Sequence, residues 1–153
     1  MAIVEVTGVK KEYQQGDITV HALQGVDLQI EAGEFTALMG PSGSGKTTLL
    51  NLVGGLDAPS AGHIVVDGTD LATVGGGGRS KMRLERLGFV FQAYNLIPVL
   101  SAYENAEFVL LLRGVPEKER RERVMRTLKE VGLEGMEKRR PSELSGGQQQ
   151  RVA

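Results

Sequence analysis

The sequence predicts an α/β fold in which two antiparallel strands precede a glycine-rich loop and a helical region follows it. Residues 3–7 and 26–30 alternate apolar and polar side chains, a pattern typical of strands with one wet face. A glycine-rich stretch at 40–48 stands between an apolar run and a helical pattern. Two further helical stretches follow within residues 101–131.

The glycine-rich stretch matches the phosphate-binding pattern G-x-x-x-x-G-K-[ST]. Its glycines allow the backbone to curve around an anion, while Lys46 can reach terminal phosphates and Thr47 can ligate Mg²⁺. Residues 34–39 are predicted to form a buried strand and residues 47–53 a helix, which is the order that the motif requires. The predicted phosphate-contacting residues are Gly40, Pro41, Ser42, Gly43, Ser44, Gly45, Lys46, Thr47 and Thr48.

Composition is that of an ordinary globular domain, with 153 residues, 24% charged and 41% hydrophobic. A net charge of −1 gives no general attraction to nucleic acid or anionic lipid. The absence of cysteine excludes disulfides and thiolate metal sites. No secretory signal is visible at residues 1–6, and the longest apolar run, 108–112, is far short of a membrane span.

The other predicted segments between residues 8 and 100 are short and are separated by glycine, proline and polar residues. In chain order they are a polar turn over 10–17, a loop over 57–62, a strand running into a turn over 63–68, a flexible turn without helix at Gly75–Gly78, a short basic helix over 79–87 and a short buried strand over 88–92.

Two longer helices are predicted next. The first, over 101–113, opens on the capping pattern Ser-Ala-Tyr-Glu. The second, over 116–131, has proline at its start, acidic residues in its first turn and apolar residues at helical spacing. Its arginines are interpreted as a mostly solvated face; they are Arg120, Arg121, Arg123 and Arg126.

Leu144-Ser145-Gly146-Gly147-Gln148 resembles the signature motif of the ABC ATPases, and a P-loop upstream of it is typical of that family. The serine offers a hydroxyl, and the two glycines allow N–H groups at a helix start to approach an anion. The resemblance makes four residues of this motif candidate nucleotide contacts: Ser145, Gly146, Gly147 and Gln148.

Two more positions match the family. Gln92, after Phe-Val-Phe, resembles the Q-loop glutamine that contacts Mg²⁺ and the attacking water beside the membrane domain. Tyr13 resembles the aromatic residue that stacks on adenine. The segments over 87–105 and 144–153 are similar to ATPases of the macrolide-exporter and lipoprotein-release type.

The resemblance covers essentially the whole chain and implies a P-loop NTPase (RecA-like) core with an antiparallel β-subdomain and a helical signature subdomain. It divides the chain into a nucleotide-binding part over 1–92 and a helical subdomain over 93–153. The family's acidic Mg²⁺-holding strand, catalytic glutamate and switch histidine all follow the signature, and none is present here. The chain is therefore expected to be incomplete at its C-terminus and, alone, to lack hydrolysis.

The implied function is that of the ATP-binding subunit of an ABC transporter, an ATPase by family, with ATP and Mg²⁺ as cofactors. Two copies would form a head-to-tail homodimer on the cytoplasmic face of the membrane, against an integral membrane permease and without nucleic acid. Lys46 and Gln92 are the expected catalytic contributors, and Thr47 and Gln92 the expected metal contacts.

Two alternatives remain at this point. One is a non-catalytic module for nucleotide binding or dimerisation, and the other is a soluble ABC-type ATPase that acts on nucleic acid or the ribosome. Near-neutral charge and the exporter-like segment after Gln92 argue against the second. A GTPase or a small-molecule kinase would leave the signature motif unexplained.

Overall fold

The computed structural model describes all 153 residues, which form two compact units, 1–87 and 88–153. Each unit is described by itself. None of the helices combines the length and the apolar character needed to cross a membrane.

The first unit contains one antiparallel sheet in the order β2-β1-β3-β4. Its strands are β1 (Ala2–Gln15), β2 (Ile18–Glu31), β3 (Ala61–Val66) and β4 (Thr69–Asp70). The predicted antiparallel pairing of the first two strands is confirmed, with Val6 opposite Leu28. The predicted polar turn over 10–17 is wrong for most of its length, because residues 10–15 pair with β2 and only Gly16 and Asp17 turn.

The core of this unit lies between the sheet and helix α1 (Lys46–Val53). A register shift between Val6 and Val9 leaves both side chains buried on the core side of β1. Leu52 and Ile64 are completely buried beside them. Helix α1 ends at Val53, as the sequence predicted, and Gly54 caps it.

Helix α2 (Gly76–Arg86) includes three of the four glycines that were predicted to form a turn without helix, so that prediction is wrong. The Gly75 carbonyl accepts the Arg79 N–H at 3.0 Å and closes the first turn. Later residues anchor the helix, because Met82 is buried in the core and Arg83 Nη1 donates to the Gly55 carbonyl at 2.6 Å. Tertiary packing of the later turns therefore overrides the poor helix propensity of glycine.

The two predicted buried strands over 34–39 and 88–92 are absent. Phe35 is 96% exposed and Val90 is 81% exposed, and neither segment pairs with the four-stranded sheet. Apolar character alone does not make a strand, because backbone N–H and C=O groups need a neighbouring strand to bond.

The second unit consists of α3 (Ala102–Leu112), α4 (Glu117–Glu130), α5 (Gly146–Val152) and a single 3₁₀ turn at Pro141–Glu143. The two longer predicted helices are confirmed within a residue at each end. Val124, Leu128 and Leu133 form the buried core of this unit.

One of the four arginines of α4 departs from the predicted solvated face. Arg120 is only 15% exposed, and its Nε donates to Glu107 Oε1 on α3 at 2.8 Å. Its Nη1 also donates to the Val115 carbonyl at 2.7 Å. Arg120 therefore joins α3 to α4, while the other three arginines are exposed as predicted.

Candidate nucleotide site

The P-loop, residues Gly40–Thr48, leads directly into α1. Gly45 caps the helix with a φ of +89°, a left-handed conformation that disfavours side chains. A Cβ at this position would lie 2.7 Å from the Ala22 carbonyl oxygen and 2.8 Å from Leu23 Cδ2. Glycine is therefore required at Gly45 both by the backbone conformation and by the close approach of β2.

The N-terminus of α1 has no side-chain cap. Its first helical hydrogen bond runs from Leu49 N–H to the Gly45 carbonyl at 2.9 Å. The N–H groups of Lys46, Thr47 and Thr48 donate to no protein acceptor. This open set of donors carries the positive end of the helix dipole, which attracts anions.

Lys46 turns back onto the loop from the first position of α1. Its ammonium donates to the carbonyl oxygens of Gly40 at 2.9 Å and Pro41 at 2.6 Å, and to Ser44 Oγ at 3.2 Å. The ammonium is thus held over the P-loop by neutral acceptors only. A cavity of 340 Å³ opens here, with Leu38, Leu49 and Lys46 in its wall.

Tyr13 lies near the end of β1 with 39% of its surface exposed. Its hydroxyl donates to Asp57 Oδ2 at 3.0 Å, and Lys11 Nζ sits 4.8 Å from the centre of its ring. Partial burial raises the pKa of Tyr13, and the Asp57 carboxylate adds to this, while Lys11 and the Thr48 hydroxyl oppose it. The phenol therefore stays protonated and available as a donor at neutral pH.

Gln92 belongs to the second unit, is exposed and hydrogen-bonds to no other group of the protein. Just before it, the rings of Phe89 and Phe91 stack 5.6 Å apart and nearly parallel. After it, the Asn105 side chain bonds both the N–H and the carbonyl of Ile97, at 2.7 and 3.2 Å, and so fixes the chain where it enters α3.

The signature turn, residues 144–148, opens α5. Ser145 Oγ accepts the N–H of Gln148 at 3.4 Å, and Gln148 Oε1 accepts the N–H of Ser145 at 2.8 Å. This reciprocal pair is a capping box. The N–H groups of Gly146 and Gly147 have no protein acceptor, and a Cβ on Gly146 would lie 3.0 Å from the Tyr94 hydroxyl oxygen.

A comparison with known families decides what these two loops belong to. Residues 23–153 match the ABC transporter family. This chain belongs to the ABC transporter family. The predicted resemblance and the predicted α/β fold with an N-terminal antiparallel subdomain are both confirmed.

Three relatives give the scale of the likeness. An uncharacterised ABC transporter ATP-binding protein of Thermotoga maritima is 44% identical over 151 residues, which cover 99% of this chain and 64% of that protein. The macrolide export ATP-binding/permease protein MacB of Brucella melitensis is also 44% identical, over 99% of this chain and 23% of that protein. The dimeric structure of the ATP-binding cassette MJ0796 in a post-hydrolysis state bound to ADP and Pi superposes with a TM-score of 0.90 at 42% identity.

This superposition covers 97% of the chain and 66% of the MJ0796 chain. The chain therefore spans a little under two thirds of the length of the ATP-binding relatives that it matches. It is homologous to ABC transporter ATP-binding subunits over almost all of its own length.

The residues present fit the nucleotide that an ABC ATP-binding domain takes. The P-loop has free N–H donors, a lysine ammonium and a glycine at the one point where a Cβ would collide with the strand beside it. Thr47 adds an exposed hydroxyl with no protein partner. Mg²⁺ takes oxygen ligands, such as hydroxyl, amide and phosphate oxygens, so the residues present also fit this ion.

Three residues that the sequence did not point to lie against the predicted ones. Asp57 and Lys11 contact Tyr13, and Tyr94 lies against Gly146. Lys11 stands two residues before Tyr13 on the same strand, which places both side chains on one face. That spacing could have predicted the Lys11 contact, whereas no local pattern points to Asp57 or Tyr94.

Proposed function

We propose that this chain is the ATP-binding part of an ABC-type exporter or lipoprotein-release ATPase. The observation that carries the proposal is the uncapped N-terminus of α1. There the Lys46 ammonium and three free N–H groups lie together at the P-loop. Phosphate oxygens would give these N–H groups the acceptors that they lack, and charge-assisted bonds would replace the neutral ones of Lys46. Residues 40–48 would bind the phosphates.

The other predicted residues complete this assignment. Tyr13 would stack on the adenine, because its ring is partly exposed and aromatic faces accept a base. Thr47 and Gln92 would supply oxygens to Mg²⁺, and Lys46 and Gln92 would contribute to catalysis by stabilising charge and orienting water. Mg²⁺ supplies charge neutralisation on the phosphates when it is bound.

The signature residues Ser145, Gly146, Gly147 and Gln148 would complete the site of a second copy of the chain. Two free N–H groups and a serine hydroxyl form only part of an anion site, which suits a surface that works against a nucleotide already held elsewhere. The named dimer of the MJ0796 cassette supports a homodimer as the working assembly.

The ABC family hydrolyses ATP, and we assign ATP hydrolysis coupled to transport to the longer protein that these residues match. For residues 1–153 we propose Mg-ATP binding at the P-loop. The partner would be an integral membrane permease at the cytoplasmic face. The relative named macrolide export ATP-binding/permease protein supports that association, and the net charge of −1 speaks against a nucleic-acid partner.

Equilibrium binding of Mg-ATP to wild type and to Lys46→Ala tests the phosphate site. We expect saturable binding to wild type that weakens about 100-fold in the variant, since charged hydrogen bonds are lost. Lys10→Ala removes an exposed lysine of β1 and should bind as wild type does. Equal affinity in wild type and Lys46→Ala would contradict the assignment.

Hydrolysis is tested in the same pair after the chain is extended with its native downstream sequence. The extended wild type should release phosphate from ATP, and the extended Lys46→Ala variant should not. Equal phosphate release by the two extended proteins would count against the ATPase assignment.

A further inference from the structure

Asp57 and Lys11 surround Tyr13 in a way that the P-loop motif does not require. We propose that these two residues are positioning residues that hold the Tyr13 ring as a preoriented stacking platform for the nucleotide base. The proposal deepens the proposed function and rests on it. Asp57 and Lys11 would act at the base end of the ligand, whereas the P-loop would bind the phosphates.

The two carboxylate oxygens of Asp57 are divided between two partners. Oδ2 accepts the Tyr13 hydroxyl at 3.0 Å, and Oδ1 accepts the Lys11 ammonium at 2.8 Å. Lys11 Nζ also donates to the Ala58 carbonyl at 2.8 Å. Lys11 is only 12% exposed and Asp57 35%, so water screens this ion pair less than it screens a surface pair.

This arrangement fixes both the position and the free side of the ring. The hydroxyl is tied at one end to Asp57, and the Lys11 ammonium lies 4.8 Å from the ring centre, within cation–π range. A cation on one face leaves the opposite face for a base. Tyr13 keeps 39% of its surface exposed, so the tethered ring remains accessible to a ligand.

Asp57 also links the base end of the site to the phosphate end. It follows α1, and its N–H and that of Leu56 both donate to the Asn51 carbonyl at the last turn, at 3.4 and 2.8 Å. The same helix, about 12 Å long at 1.5 Å per residue, begins in the P-loop. One rigid element thus sets the distance from the phosphate-binding N–H groups to the carboxylate that holds the ring.

The charge state of Asp57 agrees with this role. Partial burial alone would raise its pKa, but hydrogen bonds from Lys11, the Ala58 N–H and Tyr13 outweigh the burial and hold the pKa below the ordinary 3.8. Asp57 is therefore a carboxylate at neutral pH and can accept from both partners at once.

Affinities for Mg-ATP and for Mg-tripolyphosphate, measured on the same variants, test the proposal. Tripolyphosphate occupies the P-loop but has no base to stack. We expect Asp57→Asn and Lys11→Met to weaken Mg-ATP binding about three- to tenfold, the size of one or two lost hydrogen bonds, and to leave tripolyphosphate binding unchanged. Tyr13→Phe, which removes only the tethered hydroxyl, should weaken ATP binding by a smaller factor.

Asp67→Asn is the matched control. Asp67 lies in the same unit, is exposed to the same 35% and pairs with Arg86 at 2.7 Å, so its loss should change neither affinity. Thermal unfolding identifies any variant that fails to fold, and Tyr13→Phe then carries the test.

Unchanged ATP affinity in Asp57→Asn and Tyr13→Phe would overturn the proposal, as would equal weakening of ATP and tripolyphosphate. The proposed function fails differently. In that case wild type binds neither ligand, or Lys46→Ala binds both as wild type does, and the positioning role falls with it.

Discussion

The P-loop and the signature turn are both glycine-containing loops that open a helix, yet they treat the helix N-terminus in opposite ways. Gly45 offers no side chain to α1, so three N–H groups remain free beside the Lys46 ammonium. Ser145 caps α5 with its own hydroxyl and leaves only the two glycine N–H groups free. The P-loop therefore leaves the first three N–H donors of its helix free, whereas in the signature turn the Ser145 hydroxyl already accepts one of the N–H donors.

This difference agrees with the proposal that one nucleotide is held by the P-loop of one copy and the signature turn of another. A loop that binds an anion by itself has to keep its N–H donors free. The first turn of its helix therefore has more N–H groups without a protein acceptor. A loop that only completes a site needs a rigid shape more than free donors, and a capping box supplies that rigidity. The four predictions that follow test the contrast, from the largest expected effect to the smallest.

Removal of the lysine should have the largest effect. Lys46→Ala should lower Mg-ATP affinity about 100-fold, while Ser145→Ala in the same chain should leave the affinity of the single chain unchanged. Isothermal titration of both variants measures the difference. Similar losses in the two variants would mean that both loops contact the nucleotide within one chain.

The two loops should also respond differently to a methyl group on glycine. Gly45→Ala forces a left-handed φ on a side chain that collides with β2, so it should destabilise the first unit by about 2 kcal/mol or more. Gly147→Ala meets only the Arg151 guanidinium, at 3.9 Å. It should leave the fold intact or stabilise α5 by up to about 1 kcal/mol.

Chemical denaturation of the two glycine variants measures these changes. If the second glycine is needed only for docking, Gly147→Ala should bind Mg-ATP normally and fail to dimerise with it, as read from sedimentation. A Gly147→Ala variant that dimerises like wild type would remove the case for a close approach at this turn.

Loss of the serine cap should have a moderate effect on stability. Ser145→Ala removes the hydroxyl that accepts the Gln148 N–H, at a cost of about 1 kcal/mol. Ser142→Ala changes an exposed serine without a hydrogen bond in the neighbouring turn and serves as control. Thermal unfolding should separate the two variants, and coincident midpoints would mean that the cap contributes nothing.

A third helix start, that of α3, gives the smallest effect and a pH dependence. Its capping box uses Glu104 where α5 uses Gln148. Hydrogen bonds from the Ser101 N–H and hydroxyl hold the pKa of Glu104 below its ordinary value of 4.5. A depressed carboxyl pKa stabilises the fold above the ordinary value, and this contribution is lost as pH falls through the lowered pKa.

Glu104→Gln should therefore unfold slightly earlier than wild type at pH 7, and this difference should shrink as pH falls from 7 through the lowered pKa. Thermal midpoints across this range check the expectation. Gln148→Glu, which places a titrating group on α5, should add a similar pH dependence there. A wild-type and Glu104→Gln difference that stays constant with pH would contradict the assignment of the depressed pKa.

Local patterns in the sequence predicted the elements that are stabilised within themselves. The hairpin of β1 and β2, the capped helix α3 and the proline-led helix α4 all carry their signals in adjacent residues. The strands predicted over 34–39 and 88–92 were wrong because a strand also depends on backbone hydrogen bonds to a neighbour, and neither segment is a member of a sheet.

The residues of the candidate site likewise divide into those that a local sequence pattern predicts and those that depend on distant contacts. The P-loop and signature motifs are contiguous, so their residues could be named from the sequence. Asp57 is 44 residues away in sequence from Tyr13, whose hydroxyl it accepts. Arg120 is partly buried because it pairs with Glu107 on α3. Such contacts depend on tertiary packing, and no periodicity in the sequence predicts them.

The bonds of Lys46 to Gly40 and Pro41 have a consequence for which ligands can enter. Occupation of the loop is an exchange reaction, because the ammonium must leave two carbonyls and a hydroxyl before it meets anything else. A neutral acceptor offers nothing better than what is released, whereas an anionic oxygen forms a stronger, charge-assisted bond. We therefore expect the loop to discriminate ligands by charge: an uncharged nucleoside gains nothing from this lysine, whereas a phosphate oxygen does.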